Sequence, residues 1–126
     1  MSLKPCLINV QALEAALQRF ADERGWQQYH SPKNLAMALT GEVGELVEIF
    51  QWLTEEQSKA VADDPKTARS VRDELADVLL YLVRLSSVLG VDLNEAVEYK
   101  LLRNAEKFPA GITTPSKRGQ RFQNHE

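Results

Sequence analysis

The fold is decided by residues 31–53, SPKNLAMALTGEVGELVEIFQWL, which predict one long amphipathic helix. Ser31 followed by Pro32 is typical of a helix start, because a serine side chain caps free backbone N–H groups and proline suits the first turn. At about 100° per residue, the apolar side chains share one face of this helix; they are Leu35, Leu39, Leu46, Phe50 and Leu53. Glu42 and Glu45 fall on the flank of that face, so both carboxylates lie at the edge of the predicted core.

A further long helix repeats this arrangement. Asp64 and Pro65 predict its start, and Gly90 predicts its end. Its apolar face consists of Val71, Leu75, Val78, Leu82, Leu85 and Leu89. Glu74 and Asp77 fall on the flank of this face, as the two glutamates do on the other helix. Two long helices therefore each offer an acid pair with the spacing Glu-x-x-(Glu/Asp) at the edge of the core.

Helices are also predicted before, between and after these two. One runs from the cap Asn9 to Gly25, a short one follows Thr54, and one runs from Asp92 to just before Pro109. No stretch alternates apolar and polar residues over the length of a strand. Four long helices joined by short links predict an all-α protein with the architecture of a four-helix bundle.

Length and composition are those of one soluble globular domain, with 126 residues, 44% of them hydrophobic and 26% charged. We expect the domain to span residues 1–109 and a mobile polar tail to span residues 110–126. The net charge of −3 gives no reason to expect binding to nucleic acid. No apolar run is long enough for a membrane span, and the N-terminus lacks the apolar core of a signal peptide. We therefore predict a soluble cytoplasmic protein without a nucleic-acid or membrane partner.

The four acids on the two flanks are the main candidates for chemistry; they are Glu42, Glu45, Glu74 and Asp77. At roughly 6 Å and an effective dielectric constant near 20, each pair of ionised carboxylates costs about 3 kcal/mol. Such a cluster needs protons, Lys or Arg partners, or bound cations, and all-oxygen ligands suit Mg²⁺, Mn²⁺ or Ca²⁺. The alternative is that both pairs are solvated helix faces. A di-iron site is disfavoured, because it needs Glu-x-x-His motifs and no histidine lies near either pair.

Aromatic and basic residues form a second group of candidates. The aromatic ones lie in the link between the first two long helices or on the flanks that carry the acids; they are Trp26, His30, Trp52 and Tyr81. These rings either pack at the rim of the bundle or stack on a nucleobase. The polar ones share one flank of the last helix; they are Lys100, Asn104 and Lys107. These groups either neutralise neighbouring acids or contact phosphate.

The acid pairs lie in two segments, Gly41-Glu42-Val43-Gly44-Glu45-Leu46 and Glu74-Leu75-Ala76-Asp77, which resemble the MazG-like all-α nucleoside triphosphate pyrophosphohydrolases. The signature of that family is Glu-x-x-Glu, a variable gap and Glu-x-x-Asp, and here 28 residues separate the two halves. The flanking segments look most like the dCTP pyrophosphatase branch; they are residues 20–26, 30–35, 50–52, 91–93 and 100–109. Many family members have a further Glu before the first motif acid, where this chain has Gly41.

The resemblance implies a role for each candidate. It implies that Mg²⁺, or Mn²⁺ in its place, is held by Glu42, Glu45, Glu74 and Asp77, and that Glu42 or Glu45 is the catalytic base. It implies a base and sugar pocket shaped by Trp26, His30, Trp52 and Tyr81, with phosphate contacts from Lys100, Asn104 and Lys107. Because family members are dimers or tetramers, it also implies a homo-oligomer.

We therefore predict an enzyme that hydrolyses a (deoxy)nucleoside triphosphate, dCTP or a modified dCTP, to the monophosphate and pyrophosphate. Its role is then to remove surplus or non-standard nucleotides. One alternative is the same fold acting on dUTP or phosphoribosyl-ATP. Two others are a non-catalytic helical interaction module and a structural bundle that binds Ca²⁺ or Mn²⁺.

Overall fold

The computed structural model of the protein describes residues 8–111, and every regular element in that range is helical. The α-helices are α1 (Val10–Arg24), α2 (Pro32–Phe50), α3 (Glu55–Lys59), α4 (Pro65–Leu89) and α5 (Leu93–Lys107). Short 3₁₀ turns occupy Gln27–Tyr29 and Val61–Asp63. The predicted all-α fold class is confirmed, and α1, α2, α4 and α5 are the four long helices expected from the sequence.

Side-chain caps start the helices where the sequence predicts them. The capping residues are Asn9, Ser31, Thr54, Asp64 and Asp92. Each accepts a hydrogen bond from a backbone N–H of the first turn, which otherwise has no partner within the helix. Gly25 and Gly90 end α1 and α4 with φ angles of 62° and 70°, a left-handed conformation that glycine adopts without a steric penalty.

Helix α2 ends three residues before the predicted end, at Phe50. The backbone N–H of Leu53 donates to the carbonyl oxygen of Phe50 at 2.9 Å, a tight turn in place of another α-helical turn. Thr54 is extended because its side chain and that of Gln57 form the capping box of α3. Trp52 therefore lies in a turn and not on the flank of α2, and it is 86% exposed.

The core of the first compact unit forms where α4 packs against α1 and α2. Its buried apolar side chains come from four elements; they are Ala21, Leu35, Val61 and Val83. The boundary to a second unit, which contains α5, falls between Val91 and Asp92. One domain over residues 1–109 stays a prediction, and the predicted tail lies outside the described residues apart from Ala110 and Gly111.

No helix within residues 8–111 combines the length and the apolar character that are needed to cross a membrane.

Candidate functional site

Three glutamates meet where α2 and α4 pack together. Glu42 and Glu45 are three residues apart and so point from the same side of α2 towards α4, which supplies Glu74. Carboxylate oxygens of all three lie within 4.8 Å of one another. Glu42 and Glu74 are half-buried, whereas Glu45 is exposed. We call these three residues the acid cluster.

The acid cluster is electrostatically strained. One carboxylate oxygen of Glu42 and one of Glu74, both Oε2, are shielded from solvent and have no hydrogen-bond partner within residues 8–111. Burial, followed by the charge on Glu45, raises the pKa of Glu42 above its ordinary value. The same two causes raise the pKa of Glu74 to about 7. Near neutral pH the cluster therefore favours a proton or another positive charge between its oxygens.

That positive charge does not come from a basic side chain within the described part of the chain. The ion pairs there use other acids, which are Glu23, Glu56, Asp73 and Glu106. A set of carboxylate oxygens alone is the donor set that hard divalent cations prefer. The unpartnered oxygens and the donor chemistry together make the acid cluster a candidate divalent-metal site.

Asp77 lies beside the acid cluster and not within it. Its charge contributes to the raised pKa of Glu42, but its oxygens are not among those that converge within 4.8 Å. Asp77 instead helps to line an open cavity of about 180 Å³. Asp77 therefore connects the acid cluster with this cavity.

Aromatic rings form much of the cavity wall. We call it the aromatic cavity; its lining includes Phe20, Trp26, His30, Asp77, Tyr81 and Arg84. The Phe20 and Trp26 ring centres are 5.5 Å apart, and those of Trp26 and His30 are 6.0 Å apart, both in edge-to-face geometry. Three of the predicted pocket residues, Trp26, His30 and Tyr81, are thus brought together. They also border a second cavity, of about 310 Å³, with Tyr29 and Asn34.

The sequence analysis did not single out Arg84 and Gln18. Arg84 is only 5% exposed, and its Nε donates to Nδ1 of His30 at 3.0 Å while its Nη1 donates to Oε1 of Gln18 at 2.8 Å. Burial and the guanidinium charge lower the pKa of His30. The sequence contained one indication that Arg84 belongs to the site, because Arg84 shares a helix flank with Asp77 and Tyr81.

The remaining predicted site residues are Trp52, Lys100, Asn104 and Lys107. Trp52 borders neither of the two cavities and is exposed in its turn. In the second unit, Lys100, Asn104 and Lys107 line a shallow cavity of about 300 Å³ on α5, together with Arg103 and Glu106. The structure thus brings these three predicted phosphate contacts together on one helix face.

The comparison with known proteins assigns this combination of fold and acidic site to a class. A family model described as MazG-like matches residues 38–117, which include both acid pairs. A pyrophosphatase structure from Archaeoglobus fulgidus is 38% identical and superposes with a TM-score of 0.74, covering 86% of this chain and 99% of that one. The chain belongs to the MazG-like family of all-α nucleoside triphosphate pyrophosphohydrolases.

Among curated relatives, the chain is similar to dCTP pyrophosphatase 1 from mammals. The human protein is 42% identical over 117 residues, which is 93% of this chain and 67% of the relative. The bovine protein is 41% identical over 115 residues, which is 91% of this chain and 66% of the relative. The chain therefore spans about two-thirds of the length of these relatives.

Proposed function

We propose that the protein hydrolyses dCTP, or a dCTP modified on its base, to the monophosphate and pyrophosphate, and so clears surplus or non-standard nucleotides from the cytoplasm. The observation that carries this proposal is the acid cluster, with two shielded oxygens that have no partner within residues 8–111, next to an aromatic cavity whose lining includes the neighbouring acid Asp77. The similarity to proteins named dCTP pyrophosphatase 1 supports the substrate.

The acids have two roles, which are to bind the metal and to accept a proton from water. Glu42, Glu45 and Glu74, with Asp77 beside them, would hold Mg²⁺, with Mn²⁺ as a substitute. When bound, the metal neutralises the charge of the triphosphate and lowers the pKa of water. Glu45 is the exposed member of the acid cluster, so its carboxylate can accept the proton of an attacking water. Glu42, which is more buried, is the alternative base.

The aromatic cavity suits a cytosine base. The rings of Trp26 and Tyr81 offer stacking surfaces. The carboxylate of Asp77 has two oxygens, so one can accept a hydrogen bond from the exocyclic amino group of cytosine while the other contributes to the metal site. Uracil has a carbonyl oxygen in that position, and two acceptors repel each other. This difference favours dCTP over dUTP, the alternative substrate of the same fold.

The phosphates require cationic and amide donors. Lys100, Asn104 and Lys107 have such groups on one face of α5, and we extend the proposal to them as phosphate contacts. The basic groups on this face are exposed, as a surface that binds a highly charged ligand requires.

We further propose that the protein is a homodimer or homotetramer. Seven large apolar residues of two helices are more than a third exposed in the single chain; they are Met37, Val43 and Val47 of α2 and Leu75, Leu82, Val88 and Leu89 of α4. Exposed apolar surface of this extent is typical of contact between subunits. A role for Trp52 in base recognition requires a second copy to bring it to a pocket.

The function is tested by measuring release of pyrophosphate from dCTP, base-modified dCTP, dUTP, dTTP and phosphoribosyl-ATP, each with Mg²⁺ and with a chelator. We expect Mg²⁺-dependent release of pyrophosphate, fastest from a cytosine nucleotide. Preferred turnover of dUTP or phosphoribosyl-ATP supports the alternative substrates. Absence of turnover with every nucleotide contradicts the proposal and favours a helical interaction module, or a structural metal site if Ca²⁺ or Mn²⁺ binds.

Replacement of Trp26 by alanine tests the base pocket. Loss of a stacking ring worth about 1–3 kcal/mol raises the KM for dCTP by roughly fivefold to 150-fold. Trp52→Ala is the comparison variant, because Trp52 lies outside the described cavities and only a second copy can bring it to the pocket. Steady-state kinetics of both variants check the expectation. An unchanged KM for Trp26→Ala contradicts the assignment, whereas a rise in both variants means that a second copy brings Trp52 to the pocket.

A further inference from the structure

We propose that Arg84 is a positioning residue, whose buried guanidinium fixes the orientation and the proton position of the His30 ring at the aromatic cavity. The contacts that carry this inference are the two hydrogen bonds from Arg84, one from Nε to His30 and one from Nη1 to Gln18. Its consequence for ligand binding rests on the proposed function, because the ligand of this cavity is then the base of the nucleotide.

The burial of Arg84 is unusual for a group that only stabilises the fold. The side chain is 5% exposed, yet it forms no ion pair within residues 8–111. Both of its acceptors within residues 8–111, His30 and Gln18, are neutral groups. Taking a cation out of water without a carboxylate partner is unfavourable, and an apolar side chain of similar volume is often tolerated better in such a place. We therefore assign the positive charge of Arg84 a role at the aromatic cavity.

The direction of the hydrogen bond determines where the imidazole proton lies. A guanidinium can only donate, so Nδ1 of His30 must accept and cannot carry a proton. The neutral ring then has its proton on Nε2. The lowered pKa of His30, caused by burial and by the charge on Arg84, agrees with a neutral ring. The His30 ring therefore has one defined N–H donor, at Nε2, in place of two interconverting tautomers.

Arg84 is itself held in place by groups on a different helix. Oε1 of Gln18 accepts from Arg84, while Nε2 of the same amide donates to Asp22 at 2.8 Å. The Asp22 carboxylate also accepts a hydrogen bond from Gln27, in the link that carries His30. This chain of hydrogen bonds connects α1, the α1–α2 link and α4, and it leaves the guanidinium little freedom to turn away from the imidazole.

The test compares Arg84→Met with Arg72→Met. Methionine keeps an unbranched side chain but donates no hydrogen bond, and Arg72 lies on the same helix with a side chain 75% exposed. Imidazole ¹⁵N NMR of the wild type is expected to show His30 as a single tautomer with an unprotonated Nδ1, and a His30→Asn variant assigns the signals. We expect Arg84→Met to show a mixture of both tautomers and Arg72→Met to match the wild type.

Kinetics supply the second readout. A misoriented ring weakens binding of substrate and transition state alike, so we expect the KM for dCTP to rise about tenfold in Arg84→Met with little change in kcat. A fall in kcat alone, or an unchanged His30 tautomer, overturns the inference. Since NMR does not use turnover, a wild type without activity defeats the proposed function but leaves the Arg84 test intact.

A second variant covers the case in which Arg84→Met does not fold. Gln18 is exposed, so Gln18→Met keeps the fold while removing one of the two acceptors of the guanidinium. We expect a smaller change of the same kind, with the second tautomer of His30 detectable. A wild-type imidazole spectrum in Gln18→Met overturns the proposed chain of hydrogen bonds.

Discussion

Glu45→Gln is expected to reduce Mg²⁺-dependent release of pyrophosphate from dCTP by about a thousandfold, because loss of several kcal/mol of transition-state stabilisation corresponds to about three powers of ten in rate. Glutamine keeps the size of the side chain but removes both the negative charge and the ability to take a proton. Glu45 is exposed and lies at the end of the acid cluster nearest to solvent, so the helical fold is expected to persist. Initial rates of pyrophosphate release and far-ultraviolet circular dichroism measure the two effects.

Glu48→Gln is the matched control for this prediction. Glu48 lies about one helical turn beyond Glu45 on α2, is also exposed, and is not part of the acid cluster. Both variants lose one negative charge from the same helix, so a general effect of charge should reduce both rates equally. Retention of near-normal turnover in Glu45→Gln would remove this residue from both its metal and its base roles. An equal loss in Glu48→Gln would show that the long-range field of α2, and not the cluster, controls the rate.

The helix starts were predictable because capping is a local interaction. The side chains of Asn9, Ser31 and Asp64 accept from N–H groups two or three residues further along, so the residues that decide the boundary are adjacent in the sequence. The predicted end of α2, at Leu53, is three residues later than the end in the structure. There, the α-helical periodicity of the apolar residues continues to Leu53, but the capping box at Thr54 ends the helix earlier.

The acid cluster was predictable only in part. Helical geometry placed two acid pairs at the edges of two apolar faces, which made a meeting of the helices plausible. Which oxygens converge depends on how α2 and α4 are packed, and the sequence alone does not specify this. In the structure Glu42, Glu45 and Glu74 converge, whereas Asp77 also lines the aromatic cavity.

The contacts of Arg84 could not be found from the sequence. Its two acceptors, His30 and Gln18, lie 54 and 66 positions away in the chain. No helical or capping pattern connects residues at such separations, and a single arginine on a helix flank is ordinarily a solvated charge. Only the packing of α1 and the α1–α2 link against α4 makes it a buried donor at a cavity.

The metal-free protein is expected to lose stability as the pH rises from about 4.5 to about 7, because of Glu74. Its pKa is raised from 4.5 to about 7 in the folded protein, so in this range the folded state binds more protons than the unfolded state. The contribution of this carboxyl group to the free energy of unfolding is therefore fully present below pH 4.5 and is lost as the pH passes through about 7. Thermal unfolding in the presence of a chelator measures this dependence.

Glu74→Gln isolates the contribution of one carboxyl group from that of the other acids. An amide stays neutral at every pH, so the melting temperature of this variant should lack the decline attributed to Glu74. Asp73→Asn is the control, because Asp73 is adjacent and exposed and its removal changes the net charge by the same amount. If the wild type and Glu74→Gln depend on pH in the same way, the raised pKa of Glu74 is not a property of the folded protein.

Mg²⁺ should reverse this dependence in the wild type. A cation bound between the oxygens takes the place of the proton, and metal binding then competes with protonation of Glu74. The rise in melting temperature on adding Mg²⁺ should therefore be small at pH 5 and increase through neutral pH, as mass action requires when affinity grows. The same rise should be much smaller in Glu74→Gln at every pH. A rise that is independent of pH would mean that the ion binds away from Glu74, whose shielded oxygen would then remain unexplained.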